Sequence, residues 1–409
     1  MSLSRRAVLS GALSLGASGC FRLARSEALE QPLSDAARSL WLRAWKDIDA
    51  REVIDSHVHV VGLGKGGTGC WVNPHMQSMA HPVLAARFSI YKAAAGVVNE
   101  ENGDAEYVET LTRRAGSQLV HGRHLLLGFD QCHDERGNPQ PELSEFFTPN
   151  SYIVKLARER PDLFVACASV HPYRADAVDE LERAVEGGAV AVKWLPNAMR
   201  MDPSSPLCDR FYAALARMQV PLLTHAGEEK AVEADEAQRF GNPLHLRRPL
   251  ERGVKVIVAH CASLGQNPDL DAPGTPWVDN FDLFARLMDE PKWGGLLFGE
   301  TSAMCQANRA GRPLQEVLRR TDWHPRLLNG SDYPLPAINV LVQTRILRDR
   351  GYITGAERDA LNEIDRHNPL MFDFVLKRTL RLQHNGVAYR MSPEIFTQRD
   401  VFPLLTKSA

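Results

Sequence analysis

Eight short apolar or β-branched runs recur along the 409 residues, each followed by a polar loop and a helical pattern. Strand and helix alternating in this way predict parallel β-α units, and eight of them predict an α/β protein closed as a (β/α)8 TIM barrel. The polar residues of these runs collect at their C-terminal ends, the only end of such a barrel where polar side chains are expected and where active sites lie. An open doubly wound sheet built from the same eight units is the alternative, because periodicity does not separate closed from open.

The chain starts with "MSLSRRAVLSGALSLGASGC", in which Arg5 and Arg6 precede an apolar run over residues 7–17. That run is too short to span a bilayer, and its flanks match an export signal of the twin-arginine kind. Residues 1–20 are therefore expected to direct the protein out of the cytoplasm, to the periplasm or to a lipid anchor facing it. "ASGC" resembles a lipoprotein processing site that would place a lipid on Cys20, although Ala17 stands where a larger aliphatic residue is usual. An ordinary cleavable signal or an amphipathic N-terminal helix would use the same residues.

Residues 21–50 read as a helical lead-in, since Leu40, Trp41, Ala44, Trp45 and Ile48 fall at helical spacing. The first barrel run, "EVIDSHVHV", follows. Side chains alternate along a strand, so Asp55, His57 and His59 are expected on one face and Ile54, Ser56, Val58 and Val60 on the other. Two imidazoles at i and i+2 on one face can chelate a single cation. Residues 62–123 are long for one crossover and predict a segment inserted over the C-terminal mouth of the barrel. Its "GLGKGGTG" lacks both the Gly-Lys-Ser/Thr ending of a phosphate loop and the dinucleotide-binding spacing, so it reads as a flexible lid or loop.

The other runs are "HLLLGFDQC", "LFVACASV", "AVAVKWLP", "VPLLTHAG", "VKVIVAHC", "WGGLLFGET" and "RLLNGSDYP". Helices are expected over 175–186 and 209–218, with a helical tail over 355–376. The barrel is thereby assigned to residues 51–376 and a C-terminal extension to 377–409.

His57 and His59 end the first run, Lys193 the fourth, His225 the fifth, His260 the sixth, Glu300 the seventh and Asp332 the eighth. Taken singly, each has a structural explanation. A buried histidine is commonly a hydrogen-bonded core residue, Asp332 in "GSDYP" could cap a turn, and Lys193 could pair with Asp55 or Glu300 or bind an anionic substrate group. Five metal-competent side chains at strand ends in four units are hard to obtain by satisfying a core. Together they predict a metal site.

Composition narrows the partners. With 48 basic and 50 acidic residues the net charge is -2, which gives no basic field for a polyanion, so a small molecule rather than nucleic acid is expected. Seven cysteines without a C-x-x-C pair offer no thiolate zinc or redox motif. Cys167 and Cys261 read as buried small residues, while an exported chain could pair others as disulfides. Oligomeric state is not encoded in any of these features.

The ordered set "DSHVH", "VKW", "LLTHAGE", "VIVAHCASLG" and "LLNGSDYP" resembles the amidohydrolase superfamily of metal-dependent hydrolases, in particular the branch similar to aminocarboxymuconate-semialdehyde decarboxylase. The resemblance runs from about residue 52 to about residue 375. It implies one or two divalent metals at the barrel mouth, with His57, His59, His225 and Asp332 matching the ligands. His260 matches a histidine that contacts substrate or water in one-metal members and a second metal in the others. Zinc is the expected ion, manganese and iron being compatible, and one ion is favoured over two. A cation so held leaves a position open for water, whose pKa falls to roughly 7 in favourable zinc sites. Asp332 would then accept the water's proton and His260 steady the substrate oxygen or shuttle a proton.

Asp55 is expected to orient a ligand histidine or stabilise the strand end. Lys193 matches a residue that becomes a carboxylated bridge in two-metal relatives; with one metal it serves as an electrostatic or substrate-binding group. The resemblance assigns Glu300 no role, and it is expected to pair with Lys193; Glu228 and Glu229 are expected in a solvated loop. Lys193, Arg200 and Arg123 are the candidate cations for a substrate carboxylate. The activity so implied is hydrolysis of an amide, ester or lactone bond. A decarboxylase or hydratase on the same barrel is the first alternative, and a catalytically inactive metal-binding or scaffold protein the second.

Overall fold

The computed structural model describes residues 31–407 apart from 118–119, 233–234 and 339. The predicted export signal and Cys20 lie outside the described residues. Eight parallel strands pair in chain order: β1 (Ile54–His59), β2 (Arg123–Leu127), β3 (Phe164–Ala168), β4 (Ala189–Trp194), β5 (Leu222–His225), β6 (Val256–Ala259), β7 (Leu297–Glu300) and β8 (Leu327–Leu328). Each strand lies in one of the eight predicted runs. The segment after β8 returns to β1: Ser56 N donates to Asn329 O (2.9 Å), Asp332 N to His57 O (2.8 Å) and His59 N to Tyr333 O (3.0 Å). These bonds close the sheet into a barrel and exclude the open alternative.

The strands are buried on both faces, which is why they read as continuous apolar runs. Leu125, Val165, Cys167, Leu223, Ile257 and Leu328 fill the interior, while Leu126, Phe164, Leu222, Val256 and Val258 face the helices outside. Val401, Phe402 and Leu405 join the inner layer, and Lys255, just before β6, donates to Asp400 O (2.9 Å). The C-terminal extension therefore plugs the end of the barrel opposite the mouth. The lead-in forms a helix over Asp35–Ala44, its start capped by Ser34, and Trp45 stacks on Phe374 with ring centroids 4.3 Å apart.

Two expectations need correction. The first concerns β1, which does not alternate strictly. Ile54 and Asp55 pair with Arg123 and His124, whereas Val58 and His59 pair with Leu126 and Leu127, so β1 carries one extra residue between them. This bulge resets the alternation: Ile54 packs inside the barrel and Val58 outside. Asp55 does not share the histidines' face. Its carboxylate turns to His124 Nδ1 (3.2 Å) and to the backbone N of Ser331 (2.7 Å).

Second, the glycine-rich loop is not a free lid. The buried Asp104 carboxylate accepts from Leu63 N (2.5 Å), Gly64 N (3.2 Å) and Thr68 Oγ1 (2.5 Å), tying the loop to the helix Gly103–Gly116. Gly64 has φ of +80° and a Cβ there would meet Cys70 O at 2.6 Å, so the turn requires glycine. The tail is helical as expected, in two helices, Gly355–His367 and Pro369–Thr379, with Pro369 opening the second and Asn368 capping it. Cys70, Cys132, Cys167, Cys208, Cys261 and Cys305 are all buried free thiols among the described residues, Cys167 and Cys261 as expected.

Truncating the plug should be costly. Phe402→Ala is expected to destabilise the fold by about 3–5 kcal/mol, read as a lower urea midpoint; an unchanged midpoint would show that the extension is dispensable. A second prediction concerns His171, which follows β3. Its Nε2 donates to Met199 O (3.0 Å) and its Nδ1 accepts from Tyr173 N (3.3 Å), so both nitrogens are used by the neutral ring. Burial pushes its pKa down to about 3. The folded value lies below the unfolded one, so this contribution is complete above about pH 6.5 and is lost as pH falls. Between pH 6.5 and 4.5 the wild type should lose about 2 kcal/mol more than His171→Gln, compared by urea titration at the two pH values.

Candidate metal centre

The mouth of the barrel gathers side chains from five strand ends. Past the bulge, His57 and His59 both reach the mouth, with their Nε2 atoms 3.2 Å apart. Asp332, on the turn that closes the barrel, places Oδ1 3.5 Å from His57 Nε2 and 3.4 Å from His59 Nε2. His260, immediately after β6, brings Nε2 to 4.0 Å from Asp332 Oδ2. Lys193, on β4, lies with Nζ 3.1 Å from His57 Nε2. His225, ending β5, completes the ring, its imidazole centroid 5.4 Å from that of His260. Asp332 and His260 hold left-handed backbone, φ 62° and 56°, a conformation unfavourable for side-chain-bearing residues and common where geometry serves a site.

Two of the imidazoles have their tautomers fixed from behind. His57 Nδ1 lies 2.9 Å from Glu300 Oε2, and an ionised carboxylate only accepts, so Nδ1 carries the hydrogen and Nε2 is bare. His260 Nδ1 lies 3.1 Å from the carbonyl O of Ser302, which imposes the same tautomer. Ser302 Oγ donates to Glu300 Oε2 (2.6 Å) and braces the carboxylate.

This donor set fits a divalent cation. Ligand atoms of His57, His260 and Asp332 all lie within 4.8 Å of one another. The 3.2 Å between the two Nε2 atoms of β1 is close to the edge of a tetrahedron with bonds of about 2.0–2.1 Å, roughly 3.3 Å. Both ring nitrogens of buried His225 lack a hydrogen-bond partner among the described residues, an arrangement that costs stability unless a ligand uses one of them.

A family model described as Amidohydrolase matches residues 54–337, the barrel from β1 through the turn after β8. The chain belongs to the amidohydrolase family. That is a family of metal-dependent enzymes acting on small molecules. Similar solved structures include an uncharacterized TIM-barrel protein from Bordetella bronchiseptica, 15% identical, covering 69% of this chain and 86% of its own, with TM-score 0.46. Another is a probable 2-pyrone-4,6-dicarboxylic acid hydrolase from Acinetobacter baumannii with citric acid bound, 12% identical over 77% of this chain and 95% of that one, TM-score 0.45. A 4-oxalomesaconate hydratase from Rhodopseudomonas palustris is 13% identical over 87% and 97%, TM-score 0.42. Among curated proteins no sequence matches.

Electrostatics in this amidohydrolase site favour neutral imidazoles, the form that binds a metal. Burial pushes His225 down to about 4, His260 well below its ordinary value, and His59 lower too. Burial alone would raise Asp332, but His260, His57 and the contact with His59 outweigh it and hold the carboxyl well below the usual range. The Lys193 amine is lowered by burial against the pull of Asp332 and Glu300.

Other expectations are redistributed. Glu300 binds His57, not Lys193, because the strand ends set it behind the imidazole. Glu229 is buried rather than solvated, with Oε1 accepting from Ala231 N (2.5 Å) and Oε2 3.5 Å from His225 Nδ1, whereas Glu228 pairs with Lys230 outside. Arg123 starts β2, at the far end of the barrel from the mouth. Arg200 pairs with Glu236 at 3.4 Å, outside the cavity lining.

A cavity of about 340 Å³ opens onto the site. Phe88 and Tyr91 reach it from the inserted helix Pro82–Ala94, and Arg309 from the loop after β7. The segment over residues 62–123 was expected above the mouth, but which of its side chains line the cavity was not legible, and Arg309 lies in a loop without periodicity.

Replacing Glu300 by Gln keeps shape and removes charge behind His57. Metal affinity should fall about 10–100-fold, measured by competition with a chelating dye; unchanged affinity would remove Glu300 from the support of this site.

Proposed function

We propose that the chain is a metal-dependent hydrolase of the amidohydrolase type, cleaving an amide, ester or lactone bond in a small molecule. One divalent cation, zinc by preference, is held by His57, His59, His225 and Asp332. The observation that carries this reading is the convergence of His57 Nε2 and His59 Nε2, 3.2 Å apart, on Asp332 Oδ1 at 3.5 and 3.4 Å, with the ring nitrogens of His225 left without a hydrogen bond among the described residues.

A divalent cation bound there supplies Lewis acidity, which makes water a better nucleophile and a carbonyl a better electrophile. The side chains do the rest. Asp332, whose carboxyl is held well below the usual range, can take a proton from an attacking water. His260 Nε2, with Nδ1 committed to Ser302 O, can receive a proton and return it to a leaving group. Lys193 Nζ, buried beside His57, can donate to a substrate oxygen where charge builds up. The cavity excludes bulk water around these groups, which strengthens each interaction.

Elemental analysis of protein purified without added metal should find about one equivalent in the wild type and little in His57→Ala. Asp332→Asn, reloaded with metal, should lower hydrolysis of a panel of esters, lactones and amides about 10²–10⁴-fold. Two equivalents would make Lys193 a bridging ligand. Release of carbon dioxide without hydrolysis would replace the reaction with decarboxylation, and no metal after reconstitution would end the proposal.

A further inference from the structure

The proposed hydrolysis gives no role to Arg309, whose placement is energetically unfavourable without a ligand. It lines the cavity and is 92% buried, being 8% exposed. Its one hydrogen bond runs from Nη1 to Ser263 Oγ (2.9 Å), and its Nε is buried without a partner. Among the described residues no carboxylate lies within 4.0 Å of the guanidinium. Asp332, Glu229, Glu300 and Glu228 act on it only from beyond that distance, and a buried guanidinium without a contacting counter-ion cannot escape by losing its proton as a buried lysine can.

The other cations around the cavity are engaged. Lys92 pairs with Glu100 and Lys230 with Glu228, both towards solvent, and Lys193 sits on His57. Arg309 is the one arginine of the lining, and its guanidinium fork, held at Nη1 by Ser263, makes no ion pair within 4.0 Å among the described residues. Such a fork matches a carboxylate in shape as well as charge. Away from the ring the wall is mostly apolar, with Tyr91, Gln306 and Asn308 as polar members: Phe88 and Phe129 flank Phe146 with ring centroids 5.9 and 6.1 Å from it, and Val61, Leu63 and Leu195 continue the surface. A volume of about 340 Å³ stands at the small end of ligand pockets, which run from about 300 to 1,000 Å³.

We infer that Arg309 anchors a carboxylate of the substrate, and that the substrate is a small, apolar-bodied monoanion of about the size of a substituted ring. The anchored carboxylate is a handle and not the reacting group: Arg309 is held by Ser263 and stands outside the ring of proposed metal ligands. It is retained in the product. This assignment rests on the cavity being the active site of the metal-dependent enzyme proposed above.

The probes are benzoate and cyclohexanecarboxylate against benzamide and cyclohexanecarboxamide, titrated calorimetrically into metal-loaded and into chelator-stripped protein, with metal content measured on each sample. Wild type should bind the carboxylates about tenfold or more tightly than the amides, and should do so with and without metal. Arg309→Gln should erase the preference at unchanged metal content, and Arg309→Lys should restore part of it. If Arg309→Gln does not fold, Arg309→Lys and the wild-type comparison decide. A preference that needs metal and survives Arg309→Gln would place the anion on the cation or Lys193 and overturn the inference. Equal binding of acids and amides by the stripped wild type would overturn it as well. Absence of metal from the wild type would defeat the metal reading while leaving the Arg309 comparison in the stripped protein intact.

Discussion

The seam between β8 and β1 is the constraint on which the rest depends. Asp332 N donates to His57 O at 2.8 Å, so the bond that closes the barrel joins two of the proposed metal ligands through their backbones. Asp55 accepts from Ser331 N and from His57 N on the same seam. Behind it the buried Lys377 ammonium donates to Gly330 O and pairs with Asp373 at 2.7 Å. Closing the barrel and assembling the donor set are thus one event. A chain that failed to pair these ends would scatter His57 and Asp332 across 275 residues of sequence.

The seam also explains why a site of this charge survives burial. Asp332, Glu300 and Glu229 are buried together with Lys193 and Arg309, and none of these groups would be stable there alone. Hydrogen bonds fix several of them: Glu300 by His57 and Ser302, and Glu229 by backbone amides. Within this group the ring nitrogens of His225 and the guanidinium Nε of Arg309 remain without a hydrogen bond among the described residues. Violations of polar satisfaction at a functional site are offset by a well-packed scaffold elsewhere, here the two apolar layers and the Phe402 plug.

The barrel was legible because parallel strands covered on both faces leave continuous apolar runs, and all eight runs became strands. The ring of His57, His59, Lys193, His225, His260 and Asp332 was legible because strand ends are rigid and their direction follows from topology. The β1 bulge was not, since "IDSHVH" gives no residue that marks it; strict alternation correctly paired His57 with His59 and misplaced Asp55. Glu300 was placed on the right strand with the wrong partner, because which neighbour a mouth residue meets depends on barrel stagger. Arg309 was missed outright. It sits in an irregular loop, and nothing local distinguishes it from the chain's other arginines.

That division between legible and illegible follows the division of labour in the molecule. The groups proposed to hold the metal and move protons stand on strand ends or the closing turn, where backbone hydrogen bonds of neighbouring strands restrict their positions. The groups that shape the cavity, Phe88 and Tyr91 on the inserted helix and Arg309 in the loop after β7, stand on segments attached at the mouth. The insertion is nonetheless secured: Asp104 ties its loop, and Tyr107 donates to His59 O at 2.7 Å, so the cavity wall is linked directly to a proposed ligand strand. Changing the wall therefore need not disturb the ring, provided that Asp104 and Tyr107 stay, and substrate choice can vary while the chemistry is kept.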